Sequence, residues 1–270
     1  MKLVTSVVIF FAVAVASLIF VLRHAQGTQA DVTDPSKPLR PVVVELFTSE
    51  GCSSCPPADA LLAKLDQQQR LGNAEIIALE EHVDYWDQLG WKDPFSSAQS
   101  TERQQNYASS FGNEGIYTPQ MVVDGRTEFV GSSKSRARSA IAEAVEQPKA
   151  EVTLSNSGAA GGQVRVRIEV KMLPSPAARD AQVWLAVTET GLHSDVKRGE
   201  NAGEDLHHAA VVRSLRKVGD AKARQETAYS GEQEMRLDSG WKQENLRVVA
   251  FVQDAKSRHI LGAAAVRLKQ

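Results

Sequence analysis

The chain has 270 residues, of which 42% are hydrophobic and 24% are charged, and its formal net charge is −2. This composition excludes a disordered chain and allows one large or two small hydrophobic cores. Only two cysteines are present, which excludes a disulfide-rich scaffold. Residues 41–150 are acidic overall, and the second half has no dense basic and aromatic stripe, so we expect no nucleic-acid partner.

An apolar run follows Lys2 and extends over residues 3–22. As a helix, a run of this length spans roughly 30 Å, the thickness of a bilayer core. We therefore assign residues 1–30 to a signal peptide or an N-terminal membrane anchor, and the length of the run favours the anchor. Either alternative predicts an exported protein of the periplasm or cell envelope, membrane-anchored or secreted. Residues 31–40 are rich in proline and polar residues, which predicts an extended linker.

Residues 41–150 alternate strand-like apolar runs with helix-like stretches. In chain order these are residues 42–47, 58–71, 75–79, 96–111, 120–123 and 133–145. Such alternation predicts an α/β layer structure. The composition changes around residues 147–162, where glycine, serine and alanine are frequent. Residues 151–270 then show alternating apolar positions separated by turn residues, which predicts a β-rich, sandwich-like C-terminal domain.

Cys52 and Cys55 lie at the junction of the first predicted strand and the first predicted helix. A disulfide across so short a spacing gains little stability from chain entropy, so a purely structural role is the weaker interpretation. Unpaired amides and the dipole at a helix N-terminus favour a thiolate. We therefore predict that Cys52 is the reactive thiolate and that Cys55 resolves the mixed disulfide. Metal binding and an inert pair remain as alternatives.

Thr118 and Pro119 precede the strand predicted at residues 120–123. The order strand, CxxC, helix, strand, helix, Thr-Pro, strand, turn, strand, helix resembles the thioredoxin fold. The resemblance implies that Pro119 follows a cis peptide bond and faces the dithiol. It also implies that Thr118 and Pro119 form a platform for an extended substrate.

Three segments together are similar to the DUF1223 family, a group of exported thioredoxin-like proteins without a settled function. They are LFTSEGCSSCPPAD at residues 46–59, HVDYWD with GWKDPF at residues 82–87 and 90–95, and YTPQMVVDG at residues 117–125. Weaker similarity extends to residues 199–203 and 211–213. The resemblance implies a fold and a dithiol, but no substrate. The two serines between the cysteines, and the absence of a tryptophan before Cys52, depart from typical thioredoxins and leave the direction of exchange open.

Glu45 lies inside the apolar first strand, where burial would favour its neutral form. In the resembling fold an acid on this strand assists the resolving cysteine, so Glu45 is a candidate general base for Cys55; a purely structural acid is the alternative. Trp86 belongs to an aromatic loop that we expect to grip the substrate. His82 could join the cysteines in a copper or zinc site, but no regular ligand spacing supports this, and we predict no metal and no cofactor. His208 is interpreted as a loop histidine.

The sequence thus predicts an α/β, thioredoxin-like domain over residues 41–150, followed by the β-rich domain over residues 151–270. The predicted function is thiol-disulfide exchange with protein thiols or disulfides of the cell envelope. A non-catalytic thioredoxin-like binding module and a copper-handling protein are the alternatives. Motifs of hydrolases, kinases and dehydrogenases are missing from the sequence.

Overall fold

The computed structural model describes residues 38–174 and 180–268. The predicted signal peptide or membrane anchor, residues 1–30, lies outside these ranges. Within them, no helix is long and apolar enough to cross a membrane.

The described residues form three α-helices and fourteen strands. The helices are α1 (Pro56–Gln68), α2 (Ala98–Phe111) and α3 (Lys134–Val145), and a 3-10 turn covers Gln243–Asn245. The strands are β1 (Arg40–Thr48), β2 (Arg70–Leu71), β3 (Ala74–His82), β4 (Gln120–Val123), β5 (Thr127–Val130), β6 (Glu151–Ala160), β7 (Gln163–Lys171), β8 (Ala181–Glu189), β9 (Leu192–Asp195), β10 (Asp205–His208), β11 (Val211–Ala221), β12 (Thr227–Arg236), β13 (Leu246–Asp254) and β14 (Ile260–Arg267).

One nine-stranded mixed sheet runs through the molecule. Its strand order is β14-β13-β8-β11-β3-β1-β4-β5, and β2 pairs with β3 at the side. Strands β1 and β3 are parallel, with Thr48 opposite His82, and β11 joins β3 in parallel where Val211 lies opposite Glu80. The remaining strands form a three-stranded sheet, β12-β7-β6, and the hairpin β9-β10.

The predicted fold class, a thioredoxin-like α/β domain followed by a separate β-rich domain, is wrong. The described chain is mostly β, and strands from both sides of residue 150 belong to the same sheet, joined where β11 pairs with β3. The three helices do lie close to the predicted stretches. The error arose because periodicity reports the local conformation of a segment, whereas it does not report which distant strand completes a sheet.

The two faces of β1 and β3 contact different helices, because side chains alternate along a strand. Even-numbered residues such as Val44 and Leu46 pack with α1 and α3. Odd-numbered residues face the other way, and Phe47 contacts Tyr107 of α2. Burying each of these large apolar side chains stabilises the fold by roughly 1.5–3 kcal/mol. A polar residue of β1 or β3 therefore lies on the α1 face if its number is even and on the α2 face if its number is odd.

The C-terminal strands cover a separate core. Val164, Val166, Ile168 and Val170 of β7 are all buried, and their intervening neighbours are exposed or half-buried. They pack against residues of β8 and β13 across the space between the two sheets. The period-two pattern predicted for this region is therefore present in β7, and it builds a sheet-on-sheet core that shares the large sheet with the N-terminal half.

Candidate functional site

Cys52 and Cys55 form a disulfide, and neither side chain is exposed. Cys55 is the N-cap residue of α1, and its carbonyl accepts hydrogen bonds from the amides of Ala58 (2.8 Å) and Asp59 (3.1 Å). Proline at the first helical position starts the helix here, because its fixed φ suits the first turn and no amide proton is needed there. The disulfide thus lies immediately before the helix, with Cys55 as its N-cap residue.

Thr118, Pro119 and Trp86 lie together beside this turn. The peptide bond between Thr118 and Pro119 is cis, which confirms the predicted conformation. The indole N–H of Trp86 donates to the Thr118 hydroxyl at 2.8 Å. Trp86 also packs against Gly51, where an added Cβ would lie 3.2 Å from the Trp86 Cβ. The residues predicted to hold a substrate are therefore assembled next to the CxxC turn.

Glu45 is not brought to the cysteines. Its odd number places it on the face that contacts α2, whereas Cys55 caps α1 on the opposite face. Its two carboxylate oxygens accept hydrogen bonds from the Arg103 guanidinium and the Tyr107 hydroxyl, each at 2.5 Å. This placement corrects the expectation that Glu45 serves as a base for Cys55, since both of its oxygens are already engaged elsewhere.

Glu45 belongs to what we call the arginine cluster, which consists of Glu45, Glu81, Arg103, Tyr107 and Gln253. All five residues are buried. Arg103 also donates to the Tyr107 hydroxyl at 3.1 Å and lies 3.8 Å from Glu81. Burial lowers the pKa of Arg103, but Glu45, Tyr107 and Glu81 more than offset this, and the pKa is raised above its usual value. Burial raises the pKa of Glu81 to about 7, although Arg103 opposes the change.

A loop between β9 and β10, residues 196–204, covers the CxxC turn, and we call it the covering loop. The buried amide of Asn201 donates to the carbonyls of Glu50 (2.8 Å) and Cys52 (3.1 Å). The exposed Glu200 carboxylate accepts the Ser53 amide at 3.1 Å. Hydrogen bonding from the Ser53 side chain, and then from its amide, lowers the pKa of Glu200. The disulfide is therefore held under a loop that comes from the C-terminal half of the chain.

A second buried polar group lies on the α1 face, at the ends of β1 and β3. We call it the acid-histidine cluster, and it consists of Glu50, Glu80, His82, Asp93 and His208. His82 Nδ1 lies 2.7 Å from Asp93 Oδ2. His208 Nδ1 lies 3.1 Å from Glu80 Oε1, and His208 Nε2 lies 3.2 Å from Glu50 Oε1. The two imidazole rings meet edge to face with centroids 4.7 Å apart. Glu50 connects this cluster to the cysteine turn, because Cys52 follows it by two residues.

The carboxylates control the ionisation of these histidines. Burial lowers the pKa of His208, but Glu80 and Glu50 more than compensate and raise the pKa to about 11. Burial likewise lowers the pKa of His82, and Asp93 reverses the effect, so that this pKa is raised. Burial raises the pKa of nearby Asp59 to about 7, with a further contribution from the charge of Glu80. The cluster is therefore a group of buried acids and imidazoles whose charges shift one another's pKa values.

Sequence reasoning missed most of this cluster. Glu80 follows an apolar run within a strand, which is the same signal that singled out Glu45, and it could have been found in the same way. His208 was interpreted as a loop histidine, but it is buried whereas its neighbour His207 is exposed. Only alternation along β10 distinguishes the two, and alternation does not say which of them faces the sheet.

Fold and site together define a β-rich protein with a buried disulfide at the start of a helix and a polar cluster behind it. The chain belongs to the family described as a protein of unknown function (DUF1223), whose model matches residues 43–253. No curated protein matches the chain.

Solved structures support the fold. An X-ray crystal structure of a protein from Agrobacterium tumefaciens is 28% identical, has a TM-score of 0.63, and is aligned over 87% of this chain and 100% of that chain. HBP35 of Porphyromonas gingivalis is 16% identical, has a TM-score of 0.65, and is aligned over 86% of this chain and 76% of its own. At this identity the second similarity concerns the fold alone.

Proposed function

We propose that this chain exchanges disulfides with protein thiols of the cell envelope through Cys52 and Cys55. The observation that carries the proposal is the disulfide placed directly before α1. At this position the helix dipole favours a thiolate. The Ser54 hydroxyl, 3.4 Å from the Cys52 sulfur, adds a hydrogen-bonding group. Export, which the apolar run at residues 3–22 favours, is part of the proposal, because disulfides persist in oxidising compartments.

The exchange follows the ordinary thiol-disulfide mechanism. A partner thiolate attacks the Cys52 sulfur, a mixed disulfide forms, and the bond between the two cysteines breaks as Cys55 leaves as a thiolate. A second thiol of the partner then attacks the mixed disulfide and releases Cys52. The partner is oxidised by two electrons and this chain is reduced by two. The reverse sequence oxidises this chain at the expense of a partner disulfide.

The burial of both sulfurs adds a requirement, because a partner must reach Cys52 before it can react. The covering loop lies on the CxxC turn through Asn201 and Glu200, so these contacts must open first. The half-buried Thr118 and Trp86 lie beside the turn, next to the buried Pro119, and an extended segment of the partner would bind there. The proposal therefore predicts exchange that is slow until the loop opens.

Mixed-disulfide trapping tests the proposal. The Cys55→Ser variant should retain a disulfide-linked partner or model thiol at Cys52, because the resolving thiol is gone, and Cys52→Ser should trap nothing. The wild-type chain should also reduce insulin disulfides in the presence of dithiothreitol, and both variants should be inactive. Ser239→Ala, which changes an exposed serine outside the CxxC turn, serves as the control. Wild-type activity in Cys52→Ser, or an inactive wild type that traps no partner, would refute the proposal.

A further inference from the structure

Both histidines of the acid-histidine cluster are held as metal-binding histidines usually are. A metal-ligating histidine binds with one ring nitrogen while the other donates to a carboxylate, which fixes the ring and its tautomer. Here Asp93 holds His82 at Nδ1 and Glu50 holds His208 at Nε2. In each ring this leaves the other nitrogen directed towards Glu80.

The inner nitrogens converge on one carboxylate oxygen. His208 Nδ1 lies 3.1 Å from Glu80 Oε1, and His82 Nε2 lies 3.9 Å from the same atom. His82 Nε2 is buried and has no hydrogen-bond partner within the described ranges. The second oxygen of Glu80 accepts the Ala209 amide at 3.0 Å, which orients Oε1 towards the rings. A buried nitrogen without a partner is costly, so its persistence here calls for a ligand.

The spacing fits a small cation. One ligand atom from each of Glu80, His82 and His208 lies within 4.8 Å of the other two. Tetrahedral bonds of about 2.0–2.2 Å would place such ligand atoms about 3.3–3.6 Å apart. The observed separations of 3.1 and 3.9 Å fall on either side of this range. The third separation, between a nitrogen of each histidine, is bounded by 4.8 Å, so binding also requires the two rings to move towards the ion.

We infer that Glu80, His82 and His208 bind a divalent transition-metal ion, with Zn²⁺ as the ion that suits two imidazoles and one carboxylate. Asp93 and Glu50 orient the two histidines. A groove of about 1030 Å³, lined in part by Asp59 and His208, gives an ion a route to the edge of the cluster. Three protein ligands leave a coordination position for water or another ligand. The site contains neither cysteine, so it is independent of the proposed disulfide exchange.

Metal retention by the oxidised full chain tests the inference. After incubation with Zn²⁺ and gel filtration, elemental analysis should find one equivalent of zinc per chain. Glu80→Gln and His82→Gln should abolish retention, whereas Asp93→Asn should weaken affinity by about 10- to 100-fold, because Asp93 only orients a ligand. His207→Gln, which alters the exposed neighbour of His208, is the matched control and should bind as the wild type does. Circular dichroism verifies that each variant is folded.

Two further measurements keep the inference testable if a ligand variant does not fold. The Cys52→Ser/Cys55→Ser double variant should retain zinc as the wild type does. Co²⁺ bound to the wild type should show visible absorption of a low-coordinate nitrogen and oxygen site without a thiolate charge-transfer band. Loss of zinc in the double variant, a thiolate band, or no zinc in the wild type would overturn the inference. None of these results depends on whether the chain exchanges disulfides.

Discussion

The arginine cluster and the acid-histidine cluster lie on opposite faces of the same two strands, and they differ in the cation that faces their buried acids. In the arginine cluster, the guanidinium of Arg103 contacts Glu45 and approaches Glu81. In the acid-histidine cluster, two imidazoles take that place among three carboxylates. A guanidinium is always protonated and offers five donors but no lone pair, whereas an imidazolium that releases its proton gains a nitrogen lone pair that can bind a ligand.

This difference separates a structural cluster from a chemical one. Arg103 also lies over the rings of Tyr107 and Phe251, so aromatic side chains enclose its charge. The acid-histidine cluster reaches the CxxC turn through Glu50 and lines a groove through His208. We therefore expect changes on the α2 face to alter stability alone, and changes on the α1 face to alter disulfide chemistry or metal binding.

The largest effect is expected for Arg103→Met, which removes the cation and leaves two buried carboxylates without their partner. Loss of one member of a buried ion pair typically costs about 3–5 kcal/mol, and we expect a loss of this size in the free energy of unfolding. Urea denaturation followed by circular dichroism measures it. Arg136→Met, which changes an exposed arginine, is the control and should have little effect. A small loss in Arg103→Met would mean that the arginine cluster does not stabilise the fold.

Glu45→Gln should have the next largest effect. One carboxylate disappears, but Arg103 keeps Glu81 and Tyr107 as partners. The lost charge-assisted hydrogen bonds should reduce the free energy of unfolding by about 1–3 kcal/mol. The rate at which dithiothreitol reduces the Cys52–Cys55 disulfide under native conditions should not change, because Glu45 lies on the other face. A slower rate at unchanged native structure would restore Glu45 as a candidate base for Cys55.

The contrast between the two faces also explains what the sequence could and could not predict. Apolar spacing located the helices, and proline after Cys55 indicated where α1 begins. Whether a residue of β1 or β3 has an even or an odd number determines the face of the sheet on which it lies. The strand boundaries alone could therefore predict that Glu45 and Glu80 lie on opposite faces. The pairing of β11 with β3 could not be predicted in this way, because it joins residues more than 100 positions apart and follows from no local pattern.

The acid-histidine cluster was hidden for the same reason. His82 and Asp93 are close in sequence, but His208 reaches them only because β10 and β11 carry it to the edge of β3. No ligand spacing along the chain signals such a site, and the sequence therefore predicted no metal. Asn201 likewise lies in a segment with only weak family similarity, although its amide contacts the backbone at both Glu50 and Cys52.

Asn201→Ala tests whether the covering loop limits access to the disulfide on the α1 face. The substitution removes the two hydrogen bonds that the Asn201 amide donates to the carbonyls of Glu50 and Cys52, so the disulfide should become accessible more often. We expect its reduction by dithiothreitol to be several-fold faster, and global stability to fall by about 1 kcal/mol. Quenched alkylation of the released thiols measures the rate. Gln243→Ala, which removes an exposed amide elsewhere, should leave it unchanged. An unchanged rate in Asn201→Ala would show that the loop does not limit access.

Glu200→Gln should have the smallest effect, because its contact with the Ser53 amide is exposed to water. Hydrogen bonding from the Ser53 side chain and amide depresses the pKa of Glu200 in the folded chain. The contribution of the ionised Glu200 carboxylate to holding the covering loop is therefore fully present above the usual glutamate pKa. It is lost as pH falls through the depressed value. At neutral pH the variant should be reduced slightly faster than the wild type, and the two rates should converge in acid. A phosphine reductant, which remains reactive at low pH, gives both rates. A difference that persists or grows in acid would mean that Glu200 holds the loop by something other than its charge.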